Sequence, residues 1–298
     1  MLFDVIVVGG GPAGLSAALM LGRCRRRVLV CDLGEPRNRR TRALHGYLTR
    51  DGIPPLEFNA LARAELTPYG VQCRHIGVQF AERQPDGFEV GLADGTRERS
   101  RFLLLATGVI DELPAIPGLS ACYGTSVFHC PYCDGWEWRE RPLAVIGRGS
   151  SGGKLALSMT TWSPDVFLLT NGRRIAPEIR DRLERNGVRL RLEPVAGLEH
   201  QNGMLQAVTF ARGEPIERDA LFFSTGQHAR SGLASNLGCA FTNRGTVRTG
   251  TLGDTNEAGI FVAGDASRDA QFVVVAAAEG VKAAMAINQA LQRQELKA

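Results

Sequence analysis

The stretch FDVIVVGGGPAGLSAALMLGRCRRRVLVCD, residues 3–32, carries the reading of the fold. Phe3 to Val8 is an apolar, β-branched run, as expected of a strand buried on both faces of a parallel sheet. It stops at Gly9-x-Gly11-x-x-Gly14, after which LSAALMLG shows helical spacing, and a second strand, RVLVCD, ends in Asp32. The order strand, glycine loop, helix, strand is a βαβ unit with the parts of a dinucleotide site. Gly9 allows the tight turn, Gly11 lets backbone approach a pyrophosphate, and Gly14 packs the helix on the sheet. The pyrophosphate would rest on the helix N-terminus, and Asp32, 18 residues past the last glycine, would accept from a ribose hydroxyl.

The same unit recurs downstream. RPLAVIGRGSSGGKLALSM (141–159) and PDVFLLTNG (164–172) repeat strand, Gly147-x-Gly149-x-x-Gly152, helix and strand. The offset is constant at 138 residues, from Gly9 to Gly147, Gly14 to Gly152 and Val28 to Val166. Each copy closes on a similar strand and turn, RFLLLATG (101–108) and ALFFSTG (220–226), preceded by a hairpin signal at Asp94-Gly95 and at Asn202-Gly203. GIFVAGDASRDAQFVVVAAAEGVKAAMAIN (259–288) reads as a strand, a Gly264-Asp265 turn and an amphipathic helix. It has no counterpart in the second copy and is expected to complete the first. The fold class is therefore α/β, with two Rossmann-like nucleotide-binding domains of three-layer ββα type, the second inserted into the first. The expected bounds are 1–114 with 246–298, and 115–245.

Composition agrees with two domains of ordinary size. The 298 residues are 44% hydrophobic, and no apolar run approaches the length of a membrane span. No leader pattern precedes the first strand, so a cytoplasmic protein is expected. The net charge is +4, and arginine supplies it almost alone. The runs GRCRRR and RNRRTR lack interleaved aromatics, which argues for solvated arginines and against a nucleic-acid surface. Of seven cysteines, Cys24, Cys31, Cys73, Cys122 and Cys239 are scattered and read as inert core thiols, whereas Cys130 and Cys133 form a C-x-x-C.

With GGGPAG, ATG followed by an IPG segment, C-x-x-C-D-G ahead of the second glycine motif, and GIFVAGD near the end, the chain resembles the low-molecular-weight thioredoxin reductases and their flavoprotein relatives over nearly its full length. The resemblance implies that the first domain binds FAD. The matching positions are Gly9, Gly11, Pro12, Ala13, Gly14 and Asp32, then Ala106, Thr107 and Gly108, then Gly264, Asp265, Gln271 and Phe272, with Asp265 on the ribityl chain. RNRRTRALHGYLTRDG (37–52) departs from ordinary thioredoxin reductases. It is similar to a bacterial and fungal side branch that includes dithiol oxidases of disulfide natural products, which would bring Asn38 and His45 near the flavin. A homodimer and a large rotation of the inserted domain during turnover are also implied.

FHCPYCDGWEW (128–138) admits two readings, half a zinc site or a redox couple. Zinc calls for four ligands, commonly two such pairs, and one pair is present. A C-x-x-C in an α/β nucleotide-binding chain reads as a disulfide that trades two electrons. Proline after Cys130 suits a helix start, where the dipole favours the thiolate. The resemblance implies that Cys133 faces the flavin, that Cys130 exchanges with substrate sulfur, and that Asp134 is the acid–base carboxylate. Tyr132, Trp136 and Trp138 are expected either to wall the site or to pack in the core.

The electron donor is less well marked. The offset puts Thr170 where Asp32 sits in the first copy, and Asn171 and Gly172 follow where the family has paired arginines for the 2′-phosphate of NADPH. Arg173 and Arg174 arrive two residues late, and Arg148 interrupts the glycine loop. An altered or degraded NADPH site is expected; arginines at 171 and 172 would raise NADPH affinity if the rest of the site is intact, and no response would mean that Arg148 or the altered loop blocks the pocket. Ferredoxin or another electron donor is then a candidate beside NADPH. Three functions follow: reduction of a thioredoxin-like protein or small disulfide, the reverse oxidation of a dithiol by dioxygen, and a non-enzymatic redox sensor. Dithiol oxidases of the side branch carry histidine after the second cysteine; Asp134 stands there, which favours reduction.

Overall fold

The computed structural model describes residues 2–147, 149–224, 226–267 and 270–296. The chain begins with β1 (Leu2–Val8), α1 (Pro12–Arg23), β2 (Val28–Asp32), α2 (Pro55–Leu66), β3 (Gln72–His75), β4 (Val78–Gln84), β5 (Gly87–Leu92), β6 (Arg97–Leu105) and β7 (Val109–Asp111). It continues through α3 (Leu119–Cys122), β8 (Val127–Phe128), α4 (Pro131–Asp134), β9 (Leu143–Ile146), α5 (Gly149–Met159), β10 (Val166–Leu169), α6 (Pro177–Arg185) and β11 (Arg189–Arg191). Then come β12 (Val195–Gln201), β13 (Met204–Phe210), β14 (Ile216–Glu217), β15 (Ala220–Phe223), β16 (Gln227–Ala229), α7 (Leu233–Asn236), β17 (Ile260–Val262) and α8 (Val273–Glu295).

These elements form two compact units, 1–39 with 46–110 and 227–298, and 40–45 with 111–226. In the first, β1 lies parallel between β2 and β6, with Val8 opposite both Cys31 and Leu105, and β17 extends the sheet on β6. Alternation along β1 makes the layers. Val5 and Val7 pack on Leu21, Ala283 and Ile287 of α1 and α8, while Ile6 and Val8 share the opposite cluster with Val90 and Leu103. Each such fully buried aliphatic side chain contributes about 1.5–3 kcal/mol. α1 and α8 approach so closely that a Cβ at Gly280 would stand 2.0 Å from the Ala13 carbonyl oxygen.

The second unit repeats the plan on an all-parallel sheet of order β11-β10-β9-β15-β8. Leu143 and Val145 face Ala156, Met159 and Leu183 of α5 and α6, and Ala144 and Ile146 face Leu198, Leu205 and Phe210 of the β12–β13 layer. That hairpin turns on Asn202 and Gly203, both at positive φ (52° and 80°), the primed geometry that matches strand twist.

Where the chain returns to the first unit differs from the sequence reading. The return falls at 226/227 rather than 245/246. β16 pairs with β7, and Leu233, Ala234, Cys239 and Val247 then fill the first unit's core beside Phe3 and Leu29. The segment 40–45 groups with the second unit, which no local pattern announced. Two cysteines also depart from the expected core placement: Cys24 at the end of α1 and Cys73 on edge strand β3 are exposed. Burial pushes the Cys31 thiol up to about 11 and raises those of Cys122 and Cys239, which keeps these three unreactive. Among the described residues no helix is long and apolar enough to cross a membrane.

Candidate functional site

In the first unit the parallel strands β1, β2, β6 and β17 end along one edge, where an open α/β sheet receives its ligand. Gly9 follows β1 at φ 108°, and a Cβ there would lie 2.3 Å from the Ala106 carbonyl oxygen. Gly14 lies under it, with a would-be Cβ 1.9 Å from the Gly9 oxygen. The turn thus closes against the ATG segment, Ala106–Thr107–Gly108, and Ala106 N–H donates to the Val8 carbonyl at 2.8 Å. Gly11 is the N-cap of α1 and brings no side chain to it, so the first-turn N–H groups, beside Pro12 and Ala13, stay open to an anion. Gly264 (φ 78°) and Asp265 follow β17 on the same edge, and a Cβ on Gly264 would meet Ala13 at 3.0 Å. A glycine cradle under an uncapped helix start, with the Asp32 and Asp265 carboxylates on the same edge, fits the diphosphate and sugar chain of FAD.

Two arginines that the sequence did not single out complete this edge. Arg63 of α2 pairs with Asp32, whose Oδ2 also accepts from Gly34 N–H at 3.0 Å. Arg37 donates through Nη1 to Asp265 Oδ2 at 2.9 Å and to Gln271 Oε1 at 2.6 Å. Phe272, next in the chain, is the N-cap of α8. Arg37 was expected to be solvated with the rest of RNRRTR, and its long-range partners explain the difference. Asn38 is half-buried in the turn beside it. His45 lies in the second unit, 3.4 Å from Glu137 Oε1 through Nε2.

In that unit Cys130 and Cys133 are joined in a disulfide with a Cα–Cα distance of 5.3 Å. Cys130 is the N-cap of α4, and its sulfur accepts from Cys133 N–H at 3.2 Å. Burial pushes the Asp134 carboxyl up to about 7; the Glu137 carboxylate adds to the rise and a hydrogen bond with Thr41 opposes it. Trp138 packs on Phe128, whereas Tyr132 and Trp136 are 74% and 64% exposed around the disulfide. On the other side of Cys130, Tyr123 OH donates to Asp111 Oδ2 at 2.9 Å and lies 3.3 Å from His129 Nδ1.

The second glycine loop keeps the contact of Gly147 with Gly152, and Arg148 lies outside the described residues. Beyond β10 the backbone is committed to a tight turn. Asn171 (φ 51°) accepts from Val195 N–H through Oδ1 at 2.9 Å, Gly172 stands at φ 78°, and its N–H donates to the Leu192 carbonyl at 2.9 Å. Thr170 Oγ1 is buried without a hydrogen-bond partner among the described residues, and Arg173 and Arg174 are exposed.

The chain matches the family described as Pyridine nucleotide-disulphide oxidoreductase over residues 3–280. It is 31% identical to the "Probable thioredoxin reductase" of Arthroderma benhamiae, over 99% of this chain and 82% of that one. It is 33% identical to thioredoxin reductase tcpT of Claviceps purpurea, over 89% and 86%. The crystal structure of TrxB from Bacillus anthracis, 34% identical, superimposes with a TM-score of 0.95 over 99% of this chain and all of that one. The chain therefore belongs to the pyridine nucleotide-disulphide oxidoreductases, as a thioredoxin reductase-like flavoprotein enzyme whose cofactor is FAD.

Proposed function

We propose that the protein passes electrons between FAD and a substrate disulfide through the Cys130–Cys133 pair, and that it does so with little help from a tightly gripped NADPH. The observation that carries this reading is the disulfide followed directly by a carboxyl held near neutrality. FAD supplies the two-electron exchange; the remaining steps belong to the chain's own sulfurs and acid. Once the pair is reduced, the Cys130 thiolate attacks one sulfur of the substrate disulfide, and that S–S bond breaks. The leaving sulfur takes the proton of Asp134. The Cys133 thiol then returns a proton to the Asp134 carboxylate as its sulfur attacks Cys130, releasing the second substrate sulfur as a thiolate that takes a proton from solvent, and the internal disulfide re-forms. A carboxyl with a pKa about 7 can both give and regain a proton near neutral pH.

The turn at 170–172 supports the second half of the proposal. Thr170 and Gly172 N–H and the Asn171 side chain are engaged with 191–195, so positions 170–172 bring no cation to a 2′-phosphate, and the exposed Arg173 and Arg174 follow only after the turn has closed. The same turn also favours, as a second reading, the reverse flow: a dithiol is oxidised, the electrons go to dioxygen, and no nicotinamide is required. The substrate in the first reading is a thioredoxin-like protein or a small disulfide. The working form is a cytoplasmic homodimer, with reduced ferredoxin or another carrier as candidate donor. Anaerobic mixing with NADPH, NADH or reduced ferredoxin, while following flavin absorbance, tests the proposal. Slow, unselective reduction by both nicotinamides is expected; rapid and tight reduction by NADPH alone would refute the altered-donor reading.

A further inference from the structure

We propose that Arg37 is a cofactor-positioning residue whose guanidinium is the counter-charge of the reduced flavin, held in place by Asp265 and Gln271. The inference rests on FAD occupying the first unit. The guanidinium is built in rather than left at the surface. Nη1 donates to Asp265 Oδ2 at 2.9 Å and to Gln271 Oε1 at 2.6 Å, and Nη2 donates to Gln227 Oε1 at 3.4 Å. The Arg37 and Asp265 side chains are only 16% and 19% exposed. The loop after β2, the turn after β17, the start of α8 and strand β16 thus converge on one cation.

Charge accounts for the convergence. FAD brings a diphosphate, and two electrons with one proton add a further negative charge to it. The first unit nevertheless lines this edge with carboxylates. Asp32 is paired with Arg63, and Glu279 accepts from Gly264 N–H at 2.9 Å. Asp265 is paired with Arg37, which keeps that carboxylate from facing an anionic cofactor alone. Gln271 immediately precedes the N-cap of α8, a 23-residue helix whose start has no side-chain cap, so the positive end of its dipole adds to the guanidinium. A half-buried ion pair is screened less than a surface one, so removing its cation leaves the Asp265 charge strongly felt by a cofactor bound at this edge. Arginine suits the place, because its planar fork serves several acceptors at once.

The midpoint potential of the bound flavin, measured by anaerobic dye equilibration, tests the proposal. Arg37→Met and Gln227→Glu are each expected to shift the flavin about tenfold toward its oxidised form, about 30 mV for a two-electron couple. Arg37→Lys is expected to recover most of that shift. Gln227→Glu is near-isosteric and places a carboxylate against Nη2, so it keeps the question answerable if Arg37→Met does not retain FAD. An unmoved potential in Gln227→Glu, and in Arg37→Met where it holds FAD, overturns the proposal even if FAD binds more weakly. Wild-type protein that folds but takes up no FAD is a separate result and would sink the cofactor reading itself.

Discussion

Asp134 holds its proton up to about pH 7 in the folded protein, whereas an ordinary aspartate releases it near 3.8. The sign of the consequence follows from linkage. A folded pKa raised above the unfolded one contributes stability that is full below about pH 4 and is lost as pH rises through about 7. Asp134→Asn, neutral throughout, should therefore gain in Tm over wild type between those limits and level off above them. A Tm difference that stays constant across the range would contradict the burial of this carboxyl. Disulfide exchange should likewise decline above about pH 7 in wild type, and the variant should lose that dependence. The two sulfurs should separate by role. Cys130→Ser is expected to leave Cys133 as a thiolate with a long-wavelength flavin charge-transfer band, and Cys133→Ser to abolish the band. Full turnover in both variants would end the redox reading.

Among the elements, the turn after β10 revises what arginines at 171 and 172 would do. Asn171→Arg removes the acceptor of Val195 N–H and puts a long side chain at φ 51°, and Gly172→Arg does the same at φ 78° beside Pro194. Each is expected to cost about 1 kcal/mol or more of stability and to bring no gain in NADPH affinity. Equilibrium unfolding with NADPH titration decides it, and tighter NADPH binding at unchanged stability would count against the turn as described. Gly280→Val should drive α8 off Ala13 and release FAD along with stability, which flavin fluorescence in the filtrate would report. Much of this was legible in the chain. The glycine loops, the Asn202-Gly203 turn and β1 announce themselves because a positive φ or a face buried on both sides restricts residue type locally. Arg37 and Arg63 did not, since their partners stand 228 and 31 positions away and an arginine run looks the same whether solvated or paired. The 40–45 segment was hidden for the same reason.

For the whole molecule, each unit has its own pair of apolar clusters on the two faces of its own sheet. Calorimetry is expected to resolve two transitions, of which FAD raises one. Free FAD at a hundred times its Kd adds about 2.7 kcal/mol to the unit that binds it and nothing to the other. A single transition that moves as one with FAD would show the two units to be one cooperative body. The short segment 40–45 bears on the ancestry and engineering of such enzymes. Because of it the chain passes between units four times, at 39/40, 45/46, 110/111 and 226/227. Arg40 reaches Ser120, its carbonyl oxygen lies 2.5 Å from where a Cβ on Gly124 would be, and His45 meets Glu137. Residues 111–226 are therefore not a cassette that can be cut out and transplanted at two joints. A chimaera that exchanged them with a relative would have to carry six more residues from far upstream, and recombination is expected to preserve 40–45 and 111–226 as one inheritance.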